Sequence, residues 1–248
     1  MALMKTSNPA LNDNTFRGEG VAFGDTMTLN GTVNKTGVLL ICAMATAAWT
    51  WNMSTTAPDR ALGLVIPGAI GGLIVAFVTI FKKSWAPITA PLYALLEGLV
   101  LGGISSLFEQ KYPGIAIQAV GLTFGTLLVM LLAYRSGVIR VTDKFRLGVI
   151  AATGGIALFY LATFILGFFG VHLFSSVYGS GTIGIGFSIF VVVIAALNLV
   201  LDFDMIENGA QSGAPKYMEW YGGFALLVTL IWLYFEILRL LAKFRDRR

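Results

Sequence analysis

Residues 182–202 read TIGIGFSIFVVVIAALNLVLD. From Thr182 to Leu201 there is no Asp, Glu, Lys or Arg. A run of about 20 apolar residues is what a helix needs to cross a bilayer. Only helices and closed barrels satisfy every backbone polar group in lipid. The stretch therefore predicts a membrane-spanning helix that ends on an acid.

Six further apolar segments lie outward from it, at 35–53, 61–81, 87–108, 114–134, 146–170 and 219–242. Composition agrees with seven spans. The chain has 248 residues, 56% hydrophobic and 12% charged. A soluble domain carries about 25% charged residues, so a soluble enzyme is excluded. The fold expected is an all-α integral membrane protein of seven transmembrane helices. A polar N-terminal tail, 1–34, precedes the membrane domain at 35–243, and a short basic tail, 244–248, follows it.

Charge places the expected topology. The short loops on the N-terminal side hold Lys82, Lys83, Arg135, Arg140, Lys144, Arg146 and Lys216, and the opposite loops hold Arg60 and Lys111. The bias of Lys and Arg toward the inside predicts a cytoplasmic N-terminus in a cell membrane. The C-terminal Lys243, Arg245, Arg247 and Arg248 oppose this reading, because seven spans put them outside. The net charge of +4 serves these helix ends, and no nucleic-acid partner is expected.

Several chemistries are set aside. One cysteine, Cys42, allows no internal disulfide and no cysteine metal cluster. The one histidine, His172, falls in a short loop, read as an interfacial polar position. No GxSxG, HExxH or phosphate-binding glycine loop stands in the chain, so no enzyme and no cofactor are expected. A retinal protein would need a lysine buried in the seventh helix, and Lys243 lies past the end of that segment.

Acids within the spans carry the chemistry. A charge at the bilayer centre costs at least about 2.5–3.5 kcal/mol, so such groups face a cavity or a partner. Glu97 lies halfway along the third segment with no basic residue within four positions. It is read either as a neutral, hydrogen-bonded carboxyl or as a proton- or cation-binding group. Asp202 closes the sixth segment, with Asn198 one turn earlier on its face, and Asp204 and Glu207 read as more wetted. Glu236 lies about 9 Å from the end of its segment, with Arg239 at i+3 as a local ion-pair partner and Thr229 seven residues earlier. Two carboxyls on facing helices can share a proton near neutral pH. Once ionised, they attract a hard cation such as calcium. No metal site is firmly assigned. In the third segment, Gly98 and Gly102 form a small-xxx-small face for close helix packing.

Three stretches together resemble the Bax inhibitor-1/YccA family, the transmembrane Bax inhibitor motif proteins. They are Tyr93-Ala94-Leu95-Leu96-Glu97-Gly98-Leu99-Val100-Leu101-Gly102, Leu201-Asp202-Phe203-Asp204-Met205-Ile206, and the seventh segment from Ala225 through Leu241. Ser7 to Asn12 and Asn30 to Thr36 look typical of a bacterial branch. The resemblance implies seven helices with the seventh surrounded by the other six. It implies a pH-sensitive calcium leak, sensed by paired aspartates on the sixth and seventh helices, with a basic latch from the second. Asp202 matches the first aspartate, and Lys82 or Lys83 stands near the latch. An ungapped match puts Thr229 opposite the second aspartate, so the site is expected to be rebuilt from Asp202 with Glu236 or Glu97. Some bacterial relatives instead modulate a membrane-bound protease through the N-terminal tail, which makes a non-conducting regulator the alternative.

Overall fold

A computed structural model describes residues 26–170 and 175–247. Among these residues the chain is helical, with seven helices long and apolar enough to cross a membrane. They are α1 (Leu29–Thr56), α2 (Pro58–Phe81), α3 (Ala86–Lys111), α4 (Ile115–Arg135), α5 (Asp143–Phe168), α7 (Thr182–Gln211) and α8 (Met218–Asp246), with a one-turn α6 (Ser175–Tyr178) before α7. A 3-10 turn at Lys83–Trp85 joins α2 to α3.

The helices overrun the apolar windows. α1 starts at Leu29, six residues before the expected boundary at 35. Thr28 is its N-cap, the hydroxyl accepting from the Gly31 amide at 3.0 Å. α7 continues nine residues past Asp202, where the apolar segment ends, to Gln211. The reason is that the acids there have partners across the bundle, so the polar sequence stays helical. Gly213, at φ +70°, makes the turn toward α8.

α3 is the inner wall for α1 and α2, and glycine sets the spacing. A Cβ on Gly98 would lie 1.9 Å from Thr46 Oγ1 and 2.3 Å from the Ala43 carbonyl oxygen. One on Gly102 would lie 2.2 Å from the Ala47 carbonyl oxygen. The small-residue face expected in the third segment is thus the seam with α1. Thr46 Oγ1 also donates to the Leu95 carbonyl at 2.9 Å, a polar bond between helices in the apolar layer.

α8 packs against α1, α3, α4 and α7 and is the most buried of the seven spans, while α5 is the least buried and packs mainly on α7. The two ends of the bundle are fixed by α8. At its start, Glu219 accepts from the Thr28 amide at 3.0 Å and the Thr28 hydroxyl at 2.8 Å, and Lys216 pairs with it at 3.0 Å. Thr26 bridges to Pro215 beside this clamp. At its end, Asp246 accepts from Lys111 at 3.2 Å and from the Tyr112 hydroxyl. The start of α1 and the end of α8 therefore lie on opposite faces of the bundle.

The basic C-terminus has a structural use. Lys243, buried, donates to the carbonyls of Val177 at 2.8 Å and Gly184 at 2.9 Å. Arg245 donates to the Pro113 carbonyl at 3.1 Å. These charges tie down α6, the first turn of α7 and the α3–α4 connection, which gives them a structural use on the side the charge bias disfavours. The N-terminal residues 1–25, His172 and Arg248 lie outside the described residues.

Candidate intramembrane carboxylate site

Asp202 is fully buried on α7, nine residues from the helix end, or ~14 Å at about 1.5 Å per residue. That depth removes the helix dipole from consideration, since its effect fades within the last turn. Thr229 of α8, also buried, donates its hydroxyl to Asp202 Oδ2 at 2.6 Å. Thr229 also contacts its own Ala225 carbonyl at 3.3 Å. Asp202 and Thr229 thus join α7 to α8 in the interior.

Asn198 lies one turn away on α7 and is buried. Its amide donates to Thr153 Oγ1 of α5 at 2.8 Å and to the Ile194 carbonyl at 2.8 Å. Toward the N-terminal face, Asp204 pairs with Arg146 of α5 at 2.8 Å and accepts from Asn208 at 3.1 Å. Glu207 accepts from the Tyr134 hydroxyl of α4 at 2.5 Å. Asp204 and Glu207 are half-buried, so Asp202 is the most withdrawn of the three acids.

Toward the C-terminal face lies Glu236, buried on α8. It is ten residues from the end of α8, ~15 Å, deeper than its apolar segment indicated. It accepts from the Tyr160 hydroxyl of α5 at 3.0 Å and pairs with Arg239 at 3.1 Å. Arg239 also donates to the Tyr160 oxygen at 2.9 Å. The three groups satisfy one another.

In the structure Asp202 bonds Thr229, while the two other acids expected near it have their own surroundings. Seven residues, ~10 Å of helix, separate Thr229 from Glu236, and the Glu236 carboxylate turns to Tyr160 and Arg239. Glu97 is half-buried in the α2–α3 seam, its Oε1 2.7 Å from where a Cβ on Gly72 would stand. Of the two lysines near the second helix end, Lys82 is exposed. Lys83 is half-buried, with its ammonium 5.9 Å from the ring centre of Tyr221 on α8.

Three residues of α5 were missed in the sequence: Arg146, Thr153 and Tyr160. They stand seven apart, on one face of the helix. Each bonds an interior polar group, Asp204, Asn198 and Glu236 in turn. The resulting polar seam runs ~21 Å along the loosely packed α5. Heptad spacing of polar side chains in an apolar segment was the signal for it.

The sequence has a counterpart among known protein families. The family described as Bax inhibitor 1 like matches residues 8–246 of the 248. The chain belongs to the Bax inhibitor-1 family. Neither a curated protein nor a solved structure matches it. Family membership and the seven apolar helices make it a multi-pass membrane protein, seated in a lipid bilayer. Within this Bax inhibitor-1-like chain, a hydroxyl of α8 and an acid of α7 meet at the interior position.

Proposed function

We propose that this protein is a pH-sensitive cation leak channel, with calcium as the transported ion and Asp202 as the group whose protonation gates it. It acts without an enzymatic step or a resident cofactor. It sits in the inner membrane of a bacterial cell with its N-terminal face cytoplasmic. One observation carries the reading: a carboxyl at the end of an apolar run but well inside its helix, fully withdrawn and bonded by a hydroxyl of the neighbouring helix.

The physical argument runs through charge. An ionised Asp202 accepts the Thr229 hydrogen bond and draws a cation toward the α7–α8 seam. A neutral one keeps the hydrogen bond and loses the attraction. Either form is costly to separate from its donor in a dry interior. The equilibrium between packed and open seams then follows the proton. Thr153 of α5 and Asn198 of α7 add hydroxyl and amide groups in the adjoining α5–α7 seam, and an ion shedding water requires such groups. Asp204 with Arg146 covers its N-terminal end.

The test is calcium flux into proteoliposomes between about pH 6 and about pH 8, the range in which a shared or buried proton is exchanged. Wild type, Asp202→Asn, Glu236→Gln and Glu97→Gln are compared. The expected result is a pH-dependent flux whose dependence is lost in Asp202→Asn and kept in Glu97→Gln. No flux above empty liposomes from folded protein, at any pH, would overturn the channel. The function would then pass to the polar N-terminal tail and a membrane-bound protease partner, read by co-purification with and without that tail.

A further inference from the structure

An apolar groove of about 340 Å³ opens between α1 and α4. Its floor is made by buried residues of α3 and α8, among them Gly102, Leu227, Leu230 and Tyr234. Its mouth is flanked by Met44 on α1 and by Ile117, Val120 and Phe124 on α4, all exposed on spanning helices. Exposed on such helices means facing the hydrocarbon layer, so the groove opens sideways into the bilayer.

Its position is that of one leaflet. Along α1 the lining runs from Leu40, near the middle of the helix, to Trp51, five residues before its end. Those twelve residues span ~16 Å, about half of the ~30 Å hydrocarbon core. Along α4 the lining starts at Ala116, the second residue of the helix. The groove thus extends from the boundary of the C-terminal-face leaflet to the bilayer midplane.

The lining also excludes a polar guest. Ser105 and Tyr234 hydrogen-bond each other at 2.6 Å, and Thr123 donates to the Ala119 carbonyl at 2.8 Å. Each hydroxyl on the wall thus has a partner within the protein. The rest of the lining is almost wholly apolar, so a water or ion entering would find few partners, and a cavity of this kind favours an apolar guest. The volume lies in the range of ligand pockets.

We infer that this groove is a binding site for one acyl chain of a phospholipid from the C-terminal-face leaflet. The chain lies along α1, with its head end beside Trp51 and Ala116 and its methyl end toward Leu40. It completes the packing of α8 on the side away from Asp202.

Trp51 and Trp49 supply the measurement. Trp51 lines the groove, whereas Trp49 is exposed on the same helix and is absent from the lining. Two single-tryptophan proteins are made, one keeping Trp51 and one keeping Trp49, with the other four tryptophans replaced by Phe. Each is reconstituted with phospholipid brominated on its acyl chain, at increasing mole fraction. The expected result is that Trp51 quenching half-saturates at a mole fraction at least about threefold below that of Trp49, as a site of preferential affinity requires. The mouth variant Ala48→Phe/Val120→Phe, both positions exposed, should remove that difference and leave Trp49 quenching unchanged. Parallel quenching of the two tryptophans in the unplugged protein would overturn the site. So would quenching of Trp51 by a brominated sterol and not by the brominated phospholipid.

Discussion

Thr229 donates its hydroxyl to Asp202 at 2.6 Å, in a part of the bundle that neither water nor lipid reaches. A threonine thus serves an acid on the neighbouring helix where a second acid was expected. Two carboxyls there would repel when ionised, whereas a hydroxyl is a partner for both forms of Asp202. Replacing Thr229 by valine keeps the shape and removes the donor. The expected cost is about 1–3 kcal/mol, the penalty for a buried acceptor losing its bond. Thr229→Ser should cost less, because it keeps the hydroxyl. Thermal unfolding in detergent reads both, and equal losses in the two variants would show that the methyl, not the hydrogen bond, matters.

The seam along α5 makes a second prediction. Tyr160 is the hinge of a three-way contact with Glu236 and Arg239. Tyr160→Phe should destabilise by about 1–2 kcal/mol, since it leaves a buried carboxylate one donor short. Combined with Glu236→Gln, the two changes should couple by about 0.5–3 kcal/mol, as residues sharing one network do. Additive effects would mean that α5 lies apart from α8 in the membrane.

Much of this architecture is legible in the sequence because apolar length is a strong signal. All seven spans have windows that no soluble helix of this composition needs, and Asp202 stands out for being an acid at the end of such a window. The helix ends are less legible. Thr28 and Asn30 at the start of α1, and Asp204 and Glu207 in α7, look like loop residues until their partners are known. The partners of Thr28, Asp204 and Glu207, which are Glu219, Arg146 and Tyr134, come from other helices. The choice of Thr229 over Glu236 as the partner of Asp202 depends on the register of α8 against α7. The choice of Tyr160 for Glu236 depends on where α5 docks. No local propensity fixes either.

Close packing in α3 yields a contrast between glycines. Gly98→Ala would drive a Cβ to 2.3 Å from a backbone oxygen of α1, which cannot turn aside. Gly121→Ala on α4 meets nothing within 4 Å. The first should lose most folded protein on expression, overpacking of this kind costing about 1–3 kcal/mol or more. The second should leave yield unchanged or raise stability slightly, through helix propensity. Monodisperse yield from matched membrane preparations checks the pair.

Glu219 holds the entry to α1, although it belongs to α8. Glu219→Ala should free the Thr28 amide and hydroxyl and leave Lys216 unpaired, while Gly31 gains space where the carboxylate now fits against it. The expected outcome is faster amide hydrogen exchange over the first turn of α1, by about tenfold for a loss of about 1.4 kcal/mol in local opening. Exchange in the middle of α1 should stay slow. Acceleration along the whole helix would mean that the clamp secures the α1–α8 packing rather than one turn.

Two tyrosines on α8 differ in a way that stability can read. Tyr234 shares a hydrogen bond with Ser105, both buried. Tyr221 is fully buried, and its hydroxyl has no hydrogen-bond partner among the described residues. Removing the Tyr234 oxygen leaves the Ser105 hydroxyl stranded, so Tyr234→Phe should cost about 1–2 kcal/mol. Removing the Tyr221 oxygen strands nothing and relieves a desolvated polar atom. Tyr221→Phe should therefore be neutral or stabilising by up to about 1 kcal/mol, with the ring still available to Lys83. Unfolding of both variants under one condition gives the difference directly. A loss in Tyr221→Phe as large as in Tyr234→Phe would mean that the hydroxyl bonds a trapped water or a residue of the N-terminal 25, and would make that partner the next object of study.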